Sequence, residues 1–126
     1  MGVPITTTGG GICFAFPNVC MTPAGTSSVP VPYPSIGQLS DAMDVTTSVK
    51  VTGKPVILKK SSIPKTSGDE SGKNGPGPGG KVEFTSYSKS VKMNGEFVVR
   101  MTDKTKQNNG NAVGVVLGGE PTVLCG

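Results

Sequence analysis

The chain has 126 residues, of which 34% are hydrophobic and 5% aromatic, and this fits one domain with a small core. Its 19 glycines and 11 prolines follow no Gly-X-Y period, so collagen is excluded and an all-β protein with many turns is favoured. A net charge of +4 with scattered lysines and no tryptophan argues against a nucleic-acid partner, and the absence of histidine excludes imidazole-based catalysis.

The N-terminal segment, residues 1–47, is rich in proline and predicted to be extended. It lacks the basic and then apolar order of a signal peptide, so we expect no signal peptide. Pro30, Pro32 and Pro34 have a fixed φ and force each preceding residue into an extended conformation. The stretch GQLSDAMD near the end of the segment predicts one helical turn capped by Ser40.

A repeated pattern predicts β-hairpins at residues 48–59 and 90–101. SVKVTGKPVILK and SVKMNGEFVVRM align at an offset of 42 residues, with a turn dipeptide in the middle of each β-prone run. A weaker third copy occupies residues 115–125. Two-residue hairpin turns need positive φ, which glycine and asparagine tolerate. The predicted central turn residues are Thr52, Gly53, Asn94, Gly95, Gly118 and Gly119.

Each predicted hairpin has one apolar face. With two-residue turns, that face carries Val49, Val51, Val56 and Leu58 in the first copy, Val91, Met93 and Val98 in the second, and Val115, Leu117 and Leu124 in the third. A lone hairpin cannot bury such a face, so the copies must pack together. We therefore predict a single domain over residues 1–126. Its fold class is all-β, a compact three-sided body of three pseudo-threefold-related hairpins with long Pro/Gly-rich loops and little or no helix.

The connections between the hairpins are polar. Residues 63–81 contain mainly glycine, proline and polar residues, which predicts a long exposed loop. Residues 81–87 alternate between polar and apolar side chains and predict a short strand. Residues 104–111 predict a polar turn.

The sequence offers no set of residues suited to catalysis. The acidic pairs are Asp41 with Asp44 and Asp69 with Glu70, and both pairs are predicted to be exposed to solvent. Neither pair accompanies a nucleophile with an adjacent base. We therefore predict that the chain is not an enzyme.

An ordered set of motifs resembles the PAAR-like domains that form the spike tips of bacterial contractile injection systems, such as type VI secretion. The set is FPNVCMTPAGTSSVPVPYPSIGQ, SVKVTGKPVIL, KTSGDESG, KVEF, SVKMNGEFVVRMTD and the terminal copy, from about Phe16 to the chain end. The resemblance implies a cone of hairpins whose base caps the blunt end of a trimeric VgrG-type β-helix, with one tip per trimer, and sharpens it for envelope puncture. It also implies assembly in the bacterial cytoplasm, expulsion with the spike into the extracellular space or a target cell, and transient contact with the target membrane.

Two points of this functional interpretation stay open. Pro30, Pro32, Tyr33 and Pro34 belong either to a segment that docks on the spike or wraps the hairpins, or to a rigid connector. Effector proteins are expected as further partners. The alternative function is an effector-binding adaptor of the same fold without a piercing role, which would recruit its partner through residues 63–81.

The cysteines are candidate metal ligands. In many proteins of this group a metal ion held by histidines and a cysteine stiffens the apex, and this chain departs from that pattern because it has no histidine. One zinc or iron ion would need Cys13, Cys20 and Cys125 as thiolates, with water or a carboxylate such as Asp103 in the fourth position. The spacing of the first two cysteines is not that of a zinc finger. Three buried structural thiols are the alternative.

Overall fold

A computed structural model describes residues 2–75 and 78–125 of the chain, and these residues form an almost entirely β structure. The strands are β1 (Val3–Ile5), β2 (Ile12–Ala24), β3 (Ser27–Gln38), β4 (Lys50–Val51), β5 (Lys54–Pro55), β6 (Ser62–Ile63), β7 (Val82–Phe84), β8 (Lys92–Met93), β9 (Glu96–Phe97), β10 (Lys104–Gln107), β11 (Ala112–Leu117) and β12 (Glu120–Cys125). The all-β prediction is confirmed.

The helical content of the described residues is one 3-10 turn, Leu39–Asp41, which lies where a helical turn was expected. Its predicted cap is wrong, because Ser40 lies inside the turn and Gln38 precedes it without a side-chain cap. Within residues 2–75 and 78–125, no helix is long and apolar enough to cross a membrane.

The first two copies of the repeat form hairpins with two-residue turns. In the β4–β5 hairpin Val51 lies opposite Lys54, and Thr52 and Gly53 have φ angles of 51° and 82°. In the β8–β9 hairpin Asn94 and Gly95 have φ angles of 50° and 80°. Both turns therefore have the left-handed backbone that the strand twist favours in tight hairpins.

The third predicted hairpin, residues 115–125, is wrong. β11 pairs with β2 and β10, whereas β12 pairs with β1 in a separate sheet. Gly118 and Gly119 form no tight turn and instead carry the chain between the two sheets, where a Cβ at Gly118 would lie 2.8 Å from Leu39 Cδ1. Leu117 and Leu124, predicted on an apolar inner face, are exposed as a result.

The two ends of the chain occupy the place of the third hairpin. Cys125 of β12 lies opposite Val3 of β1, as Val51 lies opposite Lys54 in the first hairpin. Three antiparallel strand pairs therefore occur, but the third pair is built from the chain ends rather than from a local repeat.

One strand of each pair, namely β1, β5 or β9, is followed by a segment that hydrogen-bonds to the other two such segments in a closed cycle. The amide of Thr6 donates to the carbonyl of Val99, that of Val99 to Ile57, and that of Ile57 back to Thr6, each over 3.0 Å. A second cycle has three bonds of 2.9 Å, from Thr8 to Pro55, Lys59 to Phe97 and Met101 to Pro4. Equivalent atoms thus meet around a pseudo-threefold axis. We call the contact of Thr6, Ile57 and Val99 the hydrogen-bond triangle.

The hydrogen-bond triangle separates two hydrophobic clusters. Side chains alternate along a strand, so Ile57 and Val99 point to one side and Val56 and Val98 to the other. The first cluster also contains Cys13, Leu39, Ile63, Val82, Phe84 and Val116, and the second contains Ile5, Val51, Leu58 and Cys125 with Val91, Met93 and Val123 against it. The three strand pairs therefore lie on one side, which we call the hairpin end, and the main sheet on the other.

The main sheet has six strands in the order β3-β2-β11-β10-β7-β6, so β3 is an edge strand. Ile36 exchanges both backbone hydrogen bonds with Ser67 across the outer edge of β3, each over 2.9 Å. Pro30, Pro32 and Pro34 share the orientation of Ile36 because they lie an even number of residues away. Their missing amides therefore cost no ladder bonds and close this edge to further strands.

Residues 63–81 are predicted to be an exposed loop, but the described part, residues 63–75 and 78–81, is tied to the sheet, while positions 76 and 77 lie outside the described residues. Ser67 bonds to the edge of β3, and Met21 of β2 donates to Gly75 over 2.6 Å. Asp69 is fully buried, so its predicted exposure is wrong. Several neighbours such as Lys65 and Glu70 remain exposed. The cause is that a segment this close to the sheet must pair its backbone polar groups.

The remaining connections follow their predictions in part. The strand expected within residues 81–87 is β7. The turn expected at residues 104–111 begins later, because β10 occupies the first half. Asn108, Asn109 and Gly110 have positive φ and carry the chain into β11.

Replacing Thr52 by Asn should stabilise the protein. A β-branched residue is disfavoured at the positive φ of this turn, whereas asparagine tolerates it. We expect the free energy of unfolding, measured by urea titration, to rise by roughly 0.5–1 kcal/mol, because relief of the positive-φ cost outweighs the loss of the exposed 3.3 Å bond from Thr52 to Glu120.

The reverse change at the second hairpin is the matched control. Asn94→Thr should lower the free energy of unfolding, because the variant also loses the bonds that the Asn94 side chain makes with Thr47 N and Ser48 Oγ. A Thr52→Asn protein no more stable than the parent would contradict this account of the turns.

Candidate functional site

The hairpin end presents three similar corners. Two are the exposed turns Thr52–Gly53 and Asn94–Gly95, and the third is the junction where Val3 lies opposite Cys125. The three strand pairs are related by the pseudo-threefold axis, with a tight turn at two corners and the two chain ends at the third.

Side-chain hydrogen bonds connect the second corner to the first and the first corner to the third. Asn94 of the second hairpin accepts from Thr47 N over 3.3 Å and donates to Ser48 Oγ over 3.0 Å, both next to the first hairpin. Thr52 of the first hairpin donates to Glu120 Oε2 of β12 over 3.3 Å. These bonds fix the corners relative to one another.

The proline-rich residues lie in the main sheet rather than across the hairpin end. Residues 18–24 of β2 and 27–33 of β3 form a long two-stranded arm. In this arm Pro30 and Pro32 lie opposite Met21 and Val19. Tyr33 is held within this arm, since its hydroxyl lies 2.7 Å from the hydroxyl of Thr22. The geometry therefore does not support docking or wrapping of the hairpin end by Pro30, Pro32, Tyr33 and Pro34.

The structure does not bring the three cysteines together. Cys13 lies in the cluster beside the main sheet, Cys125 lies in the cluster of the hairpin end, and Cys20 lies in the arm. All three are buried and free of disulfides. Within the described ranges, no group of three His, Cys, Asp or Glu side chains is arranged to hold a metal ion. The predicted ligand set therefore does not fit a zinc or iron ion.

The environment of each candidate ligand explains why these residues form no metal site. Burial raises the pKa of the Cys13 thiol to about 12, which opposes the thiolate that a metal requires. Cys125 takes the position of Val51 and Met93 in the pseudo-threefold arrangement, so it fills an apolar core site. Asp103, the suggested fourth ligand, is already engaged by Arg100, whose Nη2 donates to it over 2.8 Å.

A buried polar cluster links the arm to residues 63–81 and to the turn after β10. Asn18 donates from Nδ2 to Asp69 Oδ2 over 2.7 Å, and Gly79 N donates to Asp69 Oδ1 over 3.1 Å. Asn108 and Asn111 donate to Asn18 Oδ1 over 3.1 Å and 2.6 Å. Three distant parts of the chain are thereby joined by charge-assisted and amide hydrogen bonds.

Cys20 belongs to the same cluster. Its Sγ lies 3.7 Å from Asn18 Oδ1 and 3.8 Å from Asn108 Nδ2. Burial raises the pKa of the Cys20 thiol, and the Asp69 carboxylate raises it further. Cys20 is therefore a neutral structural thiol near neutral pH. Gly72 packs directly on it, since a Cβ there would clash with Cys20 Cβ.

Sequence reasoning missed the role of Asp69 because the flanking glycines indicated an exposed loop. An available signal was the pairing of one aspartate with several glycines, since aspartate in turns commonly accepts bonds from nearby backbone amides. The distant asparagine partners had no signal in the sequence.

Replacing Asp69 by Asn should destabilise the protein. The new amide would direct an N–H group toward Asn18 Nδ2 or Gly79 N, both of which donate, so one buried donor would lose its acceptor. We expect the free energy of unfolding in urea to fall by about 2 kcal/mol. The exposed neighbour gives the control, since Glu70→Gln should change it by less than about 0.5 kcal/mol. Equal losses in both variants would contradict the proposed role of the cluster.

The stability of the protein should fall in alkali partly through Cys13. The folded thiol has a pKa of about 12 against an ordinary value of 9.0, so above pH 9.0 the unfolded chain binds fewer protons than the folded one. The stability that the neutral Cys13 thiol contributes to the folded protein is fully present below pH 9.0. It is lost as the pH rises toward 12, by up to about 1.4 kcal/mol per pH unit.

Urea titrations of the parent and of Cys13→Ala between about pH 8 and pH 11 measure this contribution. Other titrating groups are shared by both proteins, so the difference in slope isolates Cys13. The variant should lose stability less steeply with pH, and parallel curves would show that Cys13 is not a source of the alkaline loss.

Comparisons with known proteins identify the family. The family described as the Toxin PAAR-like domain matches residues 11–114. A Pseudomonas aeruginosa protein named DNase toxin Tse7 is 41% identical over 112 residues, which cover 79% of this chain and 29% of that protein. The chain therefore spans less than a third of the length of that relative. No solved structure matches this chain. The chain belongs to the Toxin PAAR-like domain family.

Proposed function

We propose that this chain is the spike tip of a contractile injection system of the type VI secretion kind. One chain seats its hairpin end on the blunt end of a trimeric VgrG-type β-helix and sharpens the spike for envelope puncture. The hydrogen-bond triangle carries this proposal, because it lets a single chain present three strand pairs in a pseudo-threefold arrangement to three identical subunits.

The chemistry of strand edges supports this docking. The last strands of a β-helix have unpaired backbone groups, and covering them satisfies those groups and removes a site of aggregation. The corners of the hairpin end are held by their mutual hydrogen bonds before any partner binds. Binding therefore requires little ordering of the tip.

The proposed role needs no catalysis by this chain. A tip driven by sheath contraction has only to be narrow and resistant to unfolding, and the hydrogen-bonded core provides that resistance. The name DNase toxin describes a relative of which this chain spans 29%. We propose that the tip is assembled in the bacterial cytoplasm and expelled with the spike, so that it contacts the target membrane only briefly.

A second candidate function is effector carriage by the same fold. The occurrence of a related region within a protein named as a toxin favours it. Residues 63–75 and 78–81 are tied to the sheet and the buried polar cluster, so they are less suited to recruit an effector than a free loop would be. An effector would need another surface.

The stoichiometry of the complex tests the tip proposal. The chain mixed with a VgrG-type trimer should elute as a complex of one tip per three spike subunits in size-exclusion chromatography with light scattering. Thr52→Cys labelled with a polyethylene glycol maleimide at the hairpin end should abolish binding. Thr26→Cys, labelled in the turn of the arm, should bind normally. The three native thiols are buried, so labelling is specific.

Three results would contradict the proposal: no complex, another stoichiometry, or equal binding of both labelled proteins. A complex blocked only by the arm label would place the docking surface on the main sheet instead.

A further inference from the structure

The outer face of the main sheet is apolar and has no packing partner among the described residues. Ile36, Phe14 and Val115 lie side by side on three neighbouring strands, and Ile12 pairs with Leu117 in the same way. The opposite face, which includes Cys13 and Val116, packs in the core. Side chains of the first group therefore point away from the hairpin end.

The exposure on this face is concentrated rather than scattered. Val113 is 66% exposed, Phe16 56% and Leu117 47%. Val19 and Met21 extend the same face along the arm, since Asn18 and Cys20, which alternate with them along β2, point inward and are buried. A continuous apolar surface of this kind on a water-soluble domain commonly marks an interaction site.

A partner must approach this surface face-on. Pro30, Pro32 and Pro34 block the outer edge of β3, and Ser67 occupies the same edge beside Ile36. The other edge, β6, has only two residues. Addition of a partner strand to the sheet is therefore disfavoured, and packing of side chains on the face remains.

Positive charge lies along one margin of the surface. Lys104 and Lys106 of β10 lie opposite Val115 and Val113, and both are exposed. Glu83 is the acidic neighbour of Lys106, but its carboxylate already lies 3.9 Å from Lys81 Nζ. β3 itself contains no charged residue, and the exposed Lys65 and Glu70 of the segment that borders it offset one another in charge. The net positive charge of the surface therefore lies on the β10 side.

We propose that this outer face binds a partner protein that presents apolar side chains flanked on one side by carboxylates. A surface charged on one margin fixes the orientation of its partner, which a protein interface requires and a lipid surface does not. A second copy of the chain would carry the same lysines and no matching acidic margin. The surface lies on the side of the hydrogen-bond triangle opposite the hairpin end, so this inference does not depend on docking to a spike.

Site-specific photocrosslinking in the cells that make the protein tests the inference. Val113→p-benzoylphenylalanine places the probe in the surface, and Val29→p-benzoylphenylalanine places it on the other face of the arm, where the side chain is 42% exposed. Mass spectrometry of the adducts identifies what is crosslinked. We expect a protein adduct at Val113 and not at Val29, with an adducted segment that contains apolar residues and aspartate or glutamate.

Charge reversal gives the second measurement. Lys104→Glu with Lys106→Glu in the Val113 probe protein should reduce the adduct yield roughly tenfold. Lys50→Glu with Lys54→Glu, an equal charge change at the hairpin end, should leave the yield unchanged, and the circular dichroism of both proteins should match the parent. The inference is overturned by lipid adducts, adducts between copies of the chain, no adduct at Val113, equal adducts at Val29, or a yield insensitive to Lys104 and Lys106.

Discussion

The hydrogen-bond triangle of Thr6, Ile57 and Val99 is the interaction on which the rest of the structure depends. Three segments that are far apart in the chain meet there, and each donates to one neighbour and accepts from the other. The buried backbone groups at the centre are thereby satisfied without a closed barrel. Because the cycle includes a segment next to the N-terminus, and β1 pairs with β12, it also holds the two chain ends together.

A second constraint is the small size of the hydrophobic core, which needs further interactions to hold the fold together. Only 34% of the residues are hydrophobic, and the chain has neither disulfides among its cysteines nor a metal site formed by them. The buried cluster around Asp69 and Asn18 connects the arm, residues 63–81 and the turn after β10 through hydrogen bonds. Such a network stabilises a fold when every member has a partner, and no buried side-chain polar atom of the described residues lacks one.

The sequence predicted the parts of the fold that depend on neighbouring residues. The turns at Thr52–Gly53 and Asn94–Gly95 need only a left-handed dipeptide between β-prone runs, and both hairpins form. The threefold packing also followed, since hairpins with one apolar face must cover one another. The third strand pair did not follow, because β1 and β12 come from opposite chain ends and Gly118–Gly119 resembles a local turn.

The candidate sites were harder to predict for a related reason. A cysteine has the same appearance in a sequence whether it is a ligand or a core residue, and only the position of Cys125 beside Val51 shows that it is the latter. The burial of Asp69 and the apolar outer face both arise from long-range strand pairing, which composition and spacing do not encode. The fold was thus more predictable than its surfaces.

The two faces have separate proposed roles, since the hairpin end suits a threefold partner and the outer sheet face suits an asymmetric one. Electron cryomicroscopy of the chain bound to a VgrG-type trimer tests the central claim most directly. The account predicts that the axis through the hydrogen-bond triangle coincides with the threefold axis of the spike, with one strand pair over each subunit. A chain bound off that axis, or seated through its main sheet, would contradict it.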